Sequence, residues 1–310
     1  MRVSTAVLLE DAHKNRYAVP AYNTINLEIT RGIVSAAEQL NVPILLGVAY
    51  DAIEHMGMEA LFRGIEVIAR DASVPVAIHL DHGRSFEEVA EALKLGLDSV
   101  MIDFSYMPYA ENLARTAEVA RMAHAMNTPI EAEIGHVPGG ENVSSDAEES
   151  EIVYTDPKTA AEFSEKTGVD FLAVSVGTMH GVYKSKPNLK IDLVGQINVA
   201  VKKPLVLHGG SGTPDDQVKA AIAKGISKVN VGTNVMCACV RGVTHADHGP
   251  CDIRACMHAG RKEIYDTVSS TVETFGTKAA SFVIVGCKIR AAAEEAFGTN
   301  ARIRPAPLKE

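Results

Sequence analysis

The motif HLDHG at residues 79–83 places two imidazoles and a carboxylate within five positions of this 310-residue chain. The apolar run at residues 74–78 precedes it and is typical of a buried β-strand. Burying a charge is costly unless the charge is paired or bound to a metal. We therefore expect the strand to end near His79 and the motif to lie at the mouth of a site.

Asp81 and His82 can face one site only if the strand has ended before them, because successive strand residues point to opposite faces. Gly83 allows such an end, since glycine lets the backbone turn away. Asp81 then faces the site itself, or alternatively it is an outer carboxylate that orients a metal-bound imidazole. His79 shares a face with Asp81, and we expect it to be a packed, hydrogen-bonded residue.

Three histidines are each followed by glycine: His82 in HLDHG, His180 in GTMHG and His208 in LHGGSG. Three imidazoles with one open coordination position describe a catalytic zinc site. The alternative is three unrelated structural histidines. Their equivalent positions after three predicted strands favour the zinc site.

Eight short apolar, β-branched runs alternate with amphipathic helical patterns along the chain. The runs are residues 18–23, 43–49, 74–79, 99–105, 129–135, 171–177, 204–210 and 226–232. This pattern predicts an α/β fold, a single-domain (β/α)8 TIM barrel over residues 1–290 with a C-terminal helical extension and a peripheral tail at 291–310. A doubly wound sheet is the competitor, but no G-x-G-x-x-G follows the first strand.

The predicted helices carry recognisable starts and ends. We expect starts at Asp156-Pro157 and at 214–216, and ends at Gly96, Gly168 and Gly225. Between residues 86 and 94, helical spacing predicts one buried face, made of Phe86, Val89, Ala90 and Leu93.

Polar residues concentrate at the carboxyl ends of the predicted strands, where such barrels carry their active sites. They are Asn23, Asp81, His82, Asp103, Glu133, His180, His208 and Asn230. The glycine-rich loops at 208–212 and 230–234 follow strands seven and eight, the frequent phosphate site of this fold. A simple turn is the alternative for such a loop.

The composition excludes several classes of partner. A formal net charge of −9 and the absence of Trp argue against nucleic acid. The chain contains no basic-then-apolar leader and no apolar run near the roughly 20 residues of a membrane helix, so we expect no membrane association. Five cysteines favour a reduced, cytoplasmic protein.

The motifs HLDHG, EAEIG…GGE, GTMHG, LHGGSG and NVGTN occur in this order between Asn23 and Gly276. In that order and spacing the chain resembles the class II, zinc-dependent ketose-bisphosphate aldolases of the fructose- and tagatose-bisphosphate group. The resemblance implies reversible cleavage of a phosphorylated ketose to dihydroxyacetone phosphate and an aldehyde. It also implies a homodimer or homotetramer.

The resemblance further implies a role for individual residues. Zinc would be held by His82, His180 and His208, with Glu133 and Asp103 near an auxiliary metal position. Asp81 would transfer the proton of the aldehyde oxygen. Glu141, in the loop after strand five, would transfer the proton of the dihydroxyacetone phosphate carbon. Substrate binding would involve Asn23, Gly181, Gly209, Gly210, Ser211, Asn230, Val231, Gly232, Thr233 and Arg254. A monovalent cation, Na⁺ or K⁺, is expected near the phosphate.

The chain departs from the family pattern at two places. Ala49 stands where the family usually offers Ser or Thr, and Ile253 replaces proline in the Asp-Pro-Arg sequence that ends at Arg254. Arg254 either reaches a far phosphate, across a dimer, or is a solvated surface residue. These departures suggest a substrate other than fructose 1,6-bisphosphate, such as tagatose bisphosphate or another ketose 1-phosphate.

Other interpretations remain open from the sequence. Lys228 alternates with Asn230, so it can face the barrel interior and form an imine with the substrate, although the family implies a structural lysine. The segment 237–258 contains Cys and His residues that could bind a second zinc ion. Alternatively, its cysteines are small residues packed on a helix. A metal-dependent hydrolase of a phosphorylated substrate and a non-catalytic phosphosugar-binding barrel are the alternative functions.

Overall fold

Eight parallel strands form a closed barrel in the computed structural model, which describes residues 1–139, 152–183, 186–246 and 252–277. Each strand pairs with its neighbour in the sequence, and β8 closes the ring on β1. The strands are β1 Val19–Asn23, β2 Ile44–Val48, β3 Val76–Gly83, β4 Ser99–Ile102, β5 Ile130–Ile134, β6 Phe171–Val174, β7 Leu205–Leu207 and β8 Ile226–Val231. The predicted (β/α)8 barrel is confirmed.

Helices surround the barrel in the described part of the chain. They are α1 Thr5–Asn15, α2 Leu27–Leu40, α3 Tyr50–Met56, α4 Met58–Asp71, α5 Phe86–Leu95, α6 Tyr109–Ala125, α7 Pro157–Thr167, α8 Ile191–Val201, α9 Asp215–Lys224, α10 Thr233–His245 and α11 Ile253–Phe275. None of the described helices is both long enough and apolar enough to cross a membrane.

The barrel interior is closed at its N-terminal end by α1. Leu8 and Leu9 of this helix are fully buried and belong to one cluster with inward-facing strand residues such as Leu45, Met101 and Phe171. A second, larger cluster joins the outer faces of the strands to the surrounding helices. Because one end of the barrel is filled by apolar packing, the polar strand ends gather at the other.

The predicted helix ends agree with the structure. The Asp156 side chain accepts the N–H of Thr159 at 2.8 Å and caps α7. Gly96, Gly168 and Gly225 follow α5, α7 and α9 with positive φ angles, which glycine adopts without strain.

Two local predictions need correction. Phe86 is 39% exposed, because it is the first residue of α5, whereas Val89 and Leu93 are buried as expected. Strand β3 does not end near His79 but continues to Gly83. Its register shifts between Leu80 and Gly83, and His82 adopts a left-handed φ of 49°. This irregularity turns the His82 side chain out of strict alternation, as a β-bulge does.

Candidate active site

The three predicted zinc-ligand histidines meet at the carboxyl end of the barrel. His82 lies near the end of β3, while His180 and His208 lie in the loops after β6 and β7. Each offers a ring nitrogen, and these nitrogens all lie within 4.8 Å of one another. Burial lowers the pKa of both His180 and His208, which favours neutral imidazole, the form that binds metal ions.

Two of the rings are oriented by carboxylates. His82 Nδ1 lies 2.7 Å from Asp103 Oδ2, and His208 Nε2 lies 2.9 Å from Glu131 Oε1. The remaining nitrogens, His82 Nε2 and His208 Nδ1, are turned toward each other at 2.6 Å. Carboxylates that hold the outer nitrogen of an imidazole fix its tautomer and direct the inner lone pair at a metal. The donor set therefore fits a zinc ion.

Glu133 provides an independent indication of a cation. Its Oε1 accepts the N–H of Val137 at 3.1 Å, but its Oε2 is buried and has no hydrogen-bond partner among the described residues. Burial, reinforced by the charge of Asp103, raises the pKa of Glu133 to about 8. Glu133, Asp103 and His82 also bring ligand atoms within 4.8 Å of one another. A cation here would favour the ionised carboxylate, which fits the expected auxiliary position.

Asp81 is held by two asparagine amides. Asn23 Nδ2 donates to its Oδ2 and Asn230 Nδ2 donates to its Oδ1, both at 2.8 Å. The side chain is 1% exposed, and although burial opposes ionisation, the neighbouring His82 and Lys228 hold the pKa of Asp81 below its usual range. Asp81 is therefore an ionised acceptor with both oxygens fixed.

A buried charged network lies two residues before Asp81 and Glu133, on the same face of their strands. Lys228 Nζ donates to Glu131 Oε2 at 2.7 Å and contacts His79 Nε2 at 3.2 Å. Burial, with the charge of Lys228, lowers the pKa of His79 to about 3, and His79 Nδ1 lies 2.7 Å from Ser99 Oγ. His79 is thus the packed, hydrogen-bonded residue that was expected.

Glu131 was missed by the sequence reasoning, although a signal for it exists. In the sequence IEAEI, Glu131 and Glu133 alternate on one face of a strand whose other residues are apolar. A pair of carboxylates at that spacing on a buried strand indicates that Glu131 belongs to the same polar face as Glu133.

The position of Lys228 disfavours the imine interpretation. Lys228 faces the barrel interior, as its alternation predicts, but it is 0% exposed and its ammonium group is paired with Glu131. An imine-forming lysine needs a free amine within reach of the substrate carbonyl. The structure therefore favours the structural role that the resemblance implied.

One cavity at the barrel mouth is formed by the ends of β1 and β8 and the loops after β6, β7 and β8. Its lining includes Asn23, His180, Gly181, Gly209, Gly210, Ser211, Asn230, Gly232 and Thr233. Gly232 and Thr233 also begin α10, whose N-terminal N–H groups favour an anion. Val231 was also predicted to bind substrate, but it does not line this cavity, because its side chain packs in the apolar core.

Gly209 should be intolerant of a side chain. Its φ is +67°, and a Cβ there would overlap the carbonyl oxygen of Met179. We expect Gly209→Ala to weaken the binding of inorganic phosphate at least about tenfold and to lower the unfolding free energy by about 1–3 kcal/mol. Calorimetric titration and chemical denaturation measure the two effects. The matched variant Gly195→Ala meets only the flexible Lys224 side chain and lies inside α8. It should leave phosphate affinity unchanged and should not lower the unfolding free energy, because alanine favours a helix interior more than glycine does. Unaltered phosphate affinity in Gly209→Ala would contradict the assignment of this loop.

A second cavity of about 400 Å³ opens on the other side of the histidines. It is lined by residues after β2 to β6: Tyr50, Asp51, His82, Arg84, Asp103, Tyr106, His136, Val137, Gly139 and His180. His180 borders both cavities. A substrate bound at the histidines can therefore extend in two directions.

Two further predictions lie away from this centre, and a third cannot be placed. Glu141 lies outside the described residues. The Arg254 side chain is 93% exposed at the start of α11 and lines neither cavity of the single chain. Within the described ranges, segment 237–258 contributes to neither group of metal-ligand atoms, and Cys237, Cys239 and Cys256 are free.

Comparisons with known proteins agree with this geometry. The family model for class-II fructose-bisphosphate aldolase matches residues 3–280. A fructose-bisphosphate aldolase of Staphylococcus aureus strain Mu50 is 41% identical over 281 residues, covering 89% of this chain and 97% of that protein. A sulfofructosephosphate aldolase of Alkalicoccus urumqiensis is 36% identical, with the same coverage of 89% and 97%.

A solved structure supports the same assignment. The crystal structure of the YdjI aldolase from Escherichia coli K12 matches with a TM-score of 0.81 and 32% identity, covering 91% of this chain and 100% of that chain. These matches favour neither the hydrolase nor the binding-protein alternative. The chain belongs to the class-II fructose-bisphosphate aldolase family and is an aldolase, a carbon–carbon lyase.

Proposed function

We propose that this aldolase is zinc-dependent and cleaves a ketose 1-phosphate or 1,6-bisphosphate to dihydroxyacetone phosphate and an aldehyde. The observation that carries the proposal is the group of three histidines beside an ionised Asp81 at the barrel mouth. The group lies between a cavity suited to phosphate and a second cavity.

His82, His180 and His208 would hold the zinc ion, with Glu133 and Asp103 available to an auxiliary position. When bound, zinc supplies a Lewis acid that stabilises negative charge on substrate oxygens. Asp103 and Glu131 keep two of the rings aimed for that purpose.

Asp81 would act on the oxygen that becomes the aldehyde. During cleavage, one Asp81 oxygen accepts the proton of the substrate hydroxyl while the adjacent carbon–carbon bond breaks. The bonding electrons pass to the dihydroxyacetone phosphate half, whose carbon then takes up a proton, the step assigned to Glu141. Condensation reverses both transfers. Asn23 and Asn230 hold the Asp81 carboxylate in one orientation throughout.

The cavity between Asn23 and Thr233 would hold the dihydroxyacetone phosphate half. Its backbone N–H groups and the start of α10 suit a phosphate, and fixing that group orients the reacting carbon. Na⁺ or K⁺ near this phosphate stays an expectation of the family resemblance, and so does the use of Arg254 by a partner subunit.

The distal half of the ketose would occupy the second cavity. The relatives act, by name, on fructose bisphosphate and on a sulfofructosephosphate, so the family accommodates different groups at that end of the sugar. Ala49 is 1% exposed and offers no hydroxyl at the end of β2. We infer a ketose phosphate whose distal half differs from that of fructose 1,6-bisphosphate.

Chelation should abolish the activity, and zinc should restore it. We expect a panel of ketose 1-phosphates and 1,6-bisphosphates to include a member cleaved to dihydroxyacetone phosphate, detected by a coupled dehydrogenase. Removal of the metal takes away the Lewis acid that the three histidines would hold. Cleavage that persists in the metal-free protein would contradict zinc dependence. Release of inorganic phosphate in place of a triose phosphate would contradict the lyase reaction.

A homodimer or homotetramer and a cytoplasmic location are the remaining proposals. The first rests on the family resemblance and is tested by light scattering of the purified protein. The second is supported by the free thiols of Cys237, Cys239 and Cys256. Fractionation of the source cells tests it.

A further inference from the structure

Arg84 is placed to select the distal half of the substrate. It lies two residues after His82 and lines the second cavity together with His82, Asp103 and His180. If the dihydroxyacetone phosphate half occupies the first cavity, the aldehyde half must extend into the second. Among the described residues that line this second cavity, Arg84 is the one lysine or arginine.

Arg84 is held in place through contacts of both its side chain and its backbone. Its guanidinium carbon lies over the ring of Tyr50, the first residue of α3. Its backbone N–H donates to Glu88 Oε2 at 2.8 Å, while Ser85 caps α5 by accepting the N–H of Glu88. Stacking on an aromatic face leaves the edge of a guanidinium free to bind oxygens.

The acidic groups of the cavity are already engaged. Asp103 is bound to His82 and accepts the N–H of Ser105 at 2.9 Å. Asp51 lies in the first turn of α3 and accepts the N–H of Ala52 at 2.9 Å, so the helix N-terminus offsets part of its charge. The guanidinium group of Arg84 is therefore the positive charge that this cavity presents to a substrate anion.

We propose that Arg84, stacked on Tyr50, binds an anionic group at the end of the aldehyde half of the substrate. Phosphate, sulfonate and carboxylate share this chemistry, because each offers two or three oxygens to the guanidinium edge. The inference rests on the proposed function and deepens it. It adds a residue of the same chain to the recognition of the distal anion, beside the expected use of Arg254 by a partner subunit.

The test is condensation of dihydroxyacetone phosphate with matched aldehydes, using the zinc-loaded protein. Glyceraldehyde serves as the neutral aldehyde, and its 3-phosphate, 3-sulfonate and 3-carboxylate analogues as the charged ones. Wild type should prefer at least one charged aldehyde. Arg84→Gln should lower kcat/KM for that aldehyde by at least about 30-fold, the value of a charge-assisted bond, and for glyceraldehyde by less than about threefold. Arg84→Lys should fall between, because an ammonium lacks the planar fork.

Two controls separate the possible failures. Arg70→Gln removes an exposed arginine of α4 and should match wild type with every aldehyde. Exchange of a dihydroxyacetone phosphate proton with D₂O, followed by NMR, reports the first cavity and the metal without any aldehyde. If wild type performs this exchange but shows no preference for charged aldehydes, the Arg84 proposal is overturned while the aldolase mechanism stands. The Arg84 proposal is also overturned if Arg254→Gln loses the preference for charged aldehydes while Arg84→Gln keeps it.

Discussion

Asp81→Asn should lower kcat for carbon–carbon cleavage by about 10³-fold, within the range of general acid–base catalysis, and leave zinc content unchanged. The substitution removes the group that accepts the hydroxyl proton, but it does not touch the three histidines. Asn23 and Asn230 both donate to the present carboxylate, so the new amide must face one of them with its own N–H group. Some loss of stability, about 1–3 kcal/mol, should accompany the loss of turnover.

Proton exchange distinguishes this role of Asp81 from a general disruption of the site. Exchange of the dihydroxyacetone phosphate proton does not require the aldehyde oxygen, so Asp81→Asn should retain it. Asp98→Asn is the matched control, because Asp98 is another largely buried aspartate that pairs with Arg2. It precedes β4 and so lies at the end of the barrel opposite the site. This variant should cleave substrate at the wild-type rate. Cleavage by Asp81→Asn within about tenfold of wild type would remove Asp81 from the mechanism, since general acid–base groups contribute more than that.

The sequence predicted the barrel because its signals are local and repeated eight times. Each apolar run became a strand, although the runs at 99–105 and 204–210 continue beyond Ile102 and Leu207, where the strands end. A strand ends where its neighbours no longer offer hydrogen bonds, and that depends on residues distant in the sequence. Helix ends were more accurate, because the cap is carried by adjacent residues such as Asp156 and Gly168.

The site was predictable where a residue type alone suggests its chemistry. The three histidines meet as expected, because their strand ends share one edge of the barrel. The contacts that surround the histidines were harder to predict from the sequence. The bulge in β3 that lets Asp81 and His82 share the site depends on pairing with β4, and the contact between Glu131 and His208 joins residues 77 positions apart. Such contacts are properties of the closed barrel and cannot be read from local spacing.

Lys228→Met should lower the free energy of unfolding by about 3–5 kcal/mol, because it leaves a buried carboxylate without its ammonium partner. Burial would raise the pKa of Glu131, but Lys228 and the hydrogen bond from His208 hold it at about 2. Without Lys228 that carboxylate should take up a proton and orient His208 less firmly. Zinc affinity, measured by competition with a chelator, should then fall about 10- to 100-fold.

The double variant Lys228→Met/Glu131→Gln separates stability from metal binding. It removes both charges, so most of the unfolding free energy should return, and a double-mutant cycle with Glu131→Gln should give a coupling of about 2 kcal/mol or more. Zinc should still bind more weakly than in wild type, because a neutral amide is a poorer partner for His208 than a carboxylate. A double variant whose loss of stability equals the sum of the two single losses would show that the ion pair is not coupled. Wild-type zinc affinity in the double variant would show that Glu131 does not support the metal site. Cleavage retained after zinc loading would exclude Lys228 as an imine-forming nucleophile.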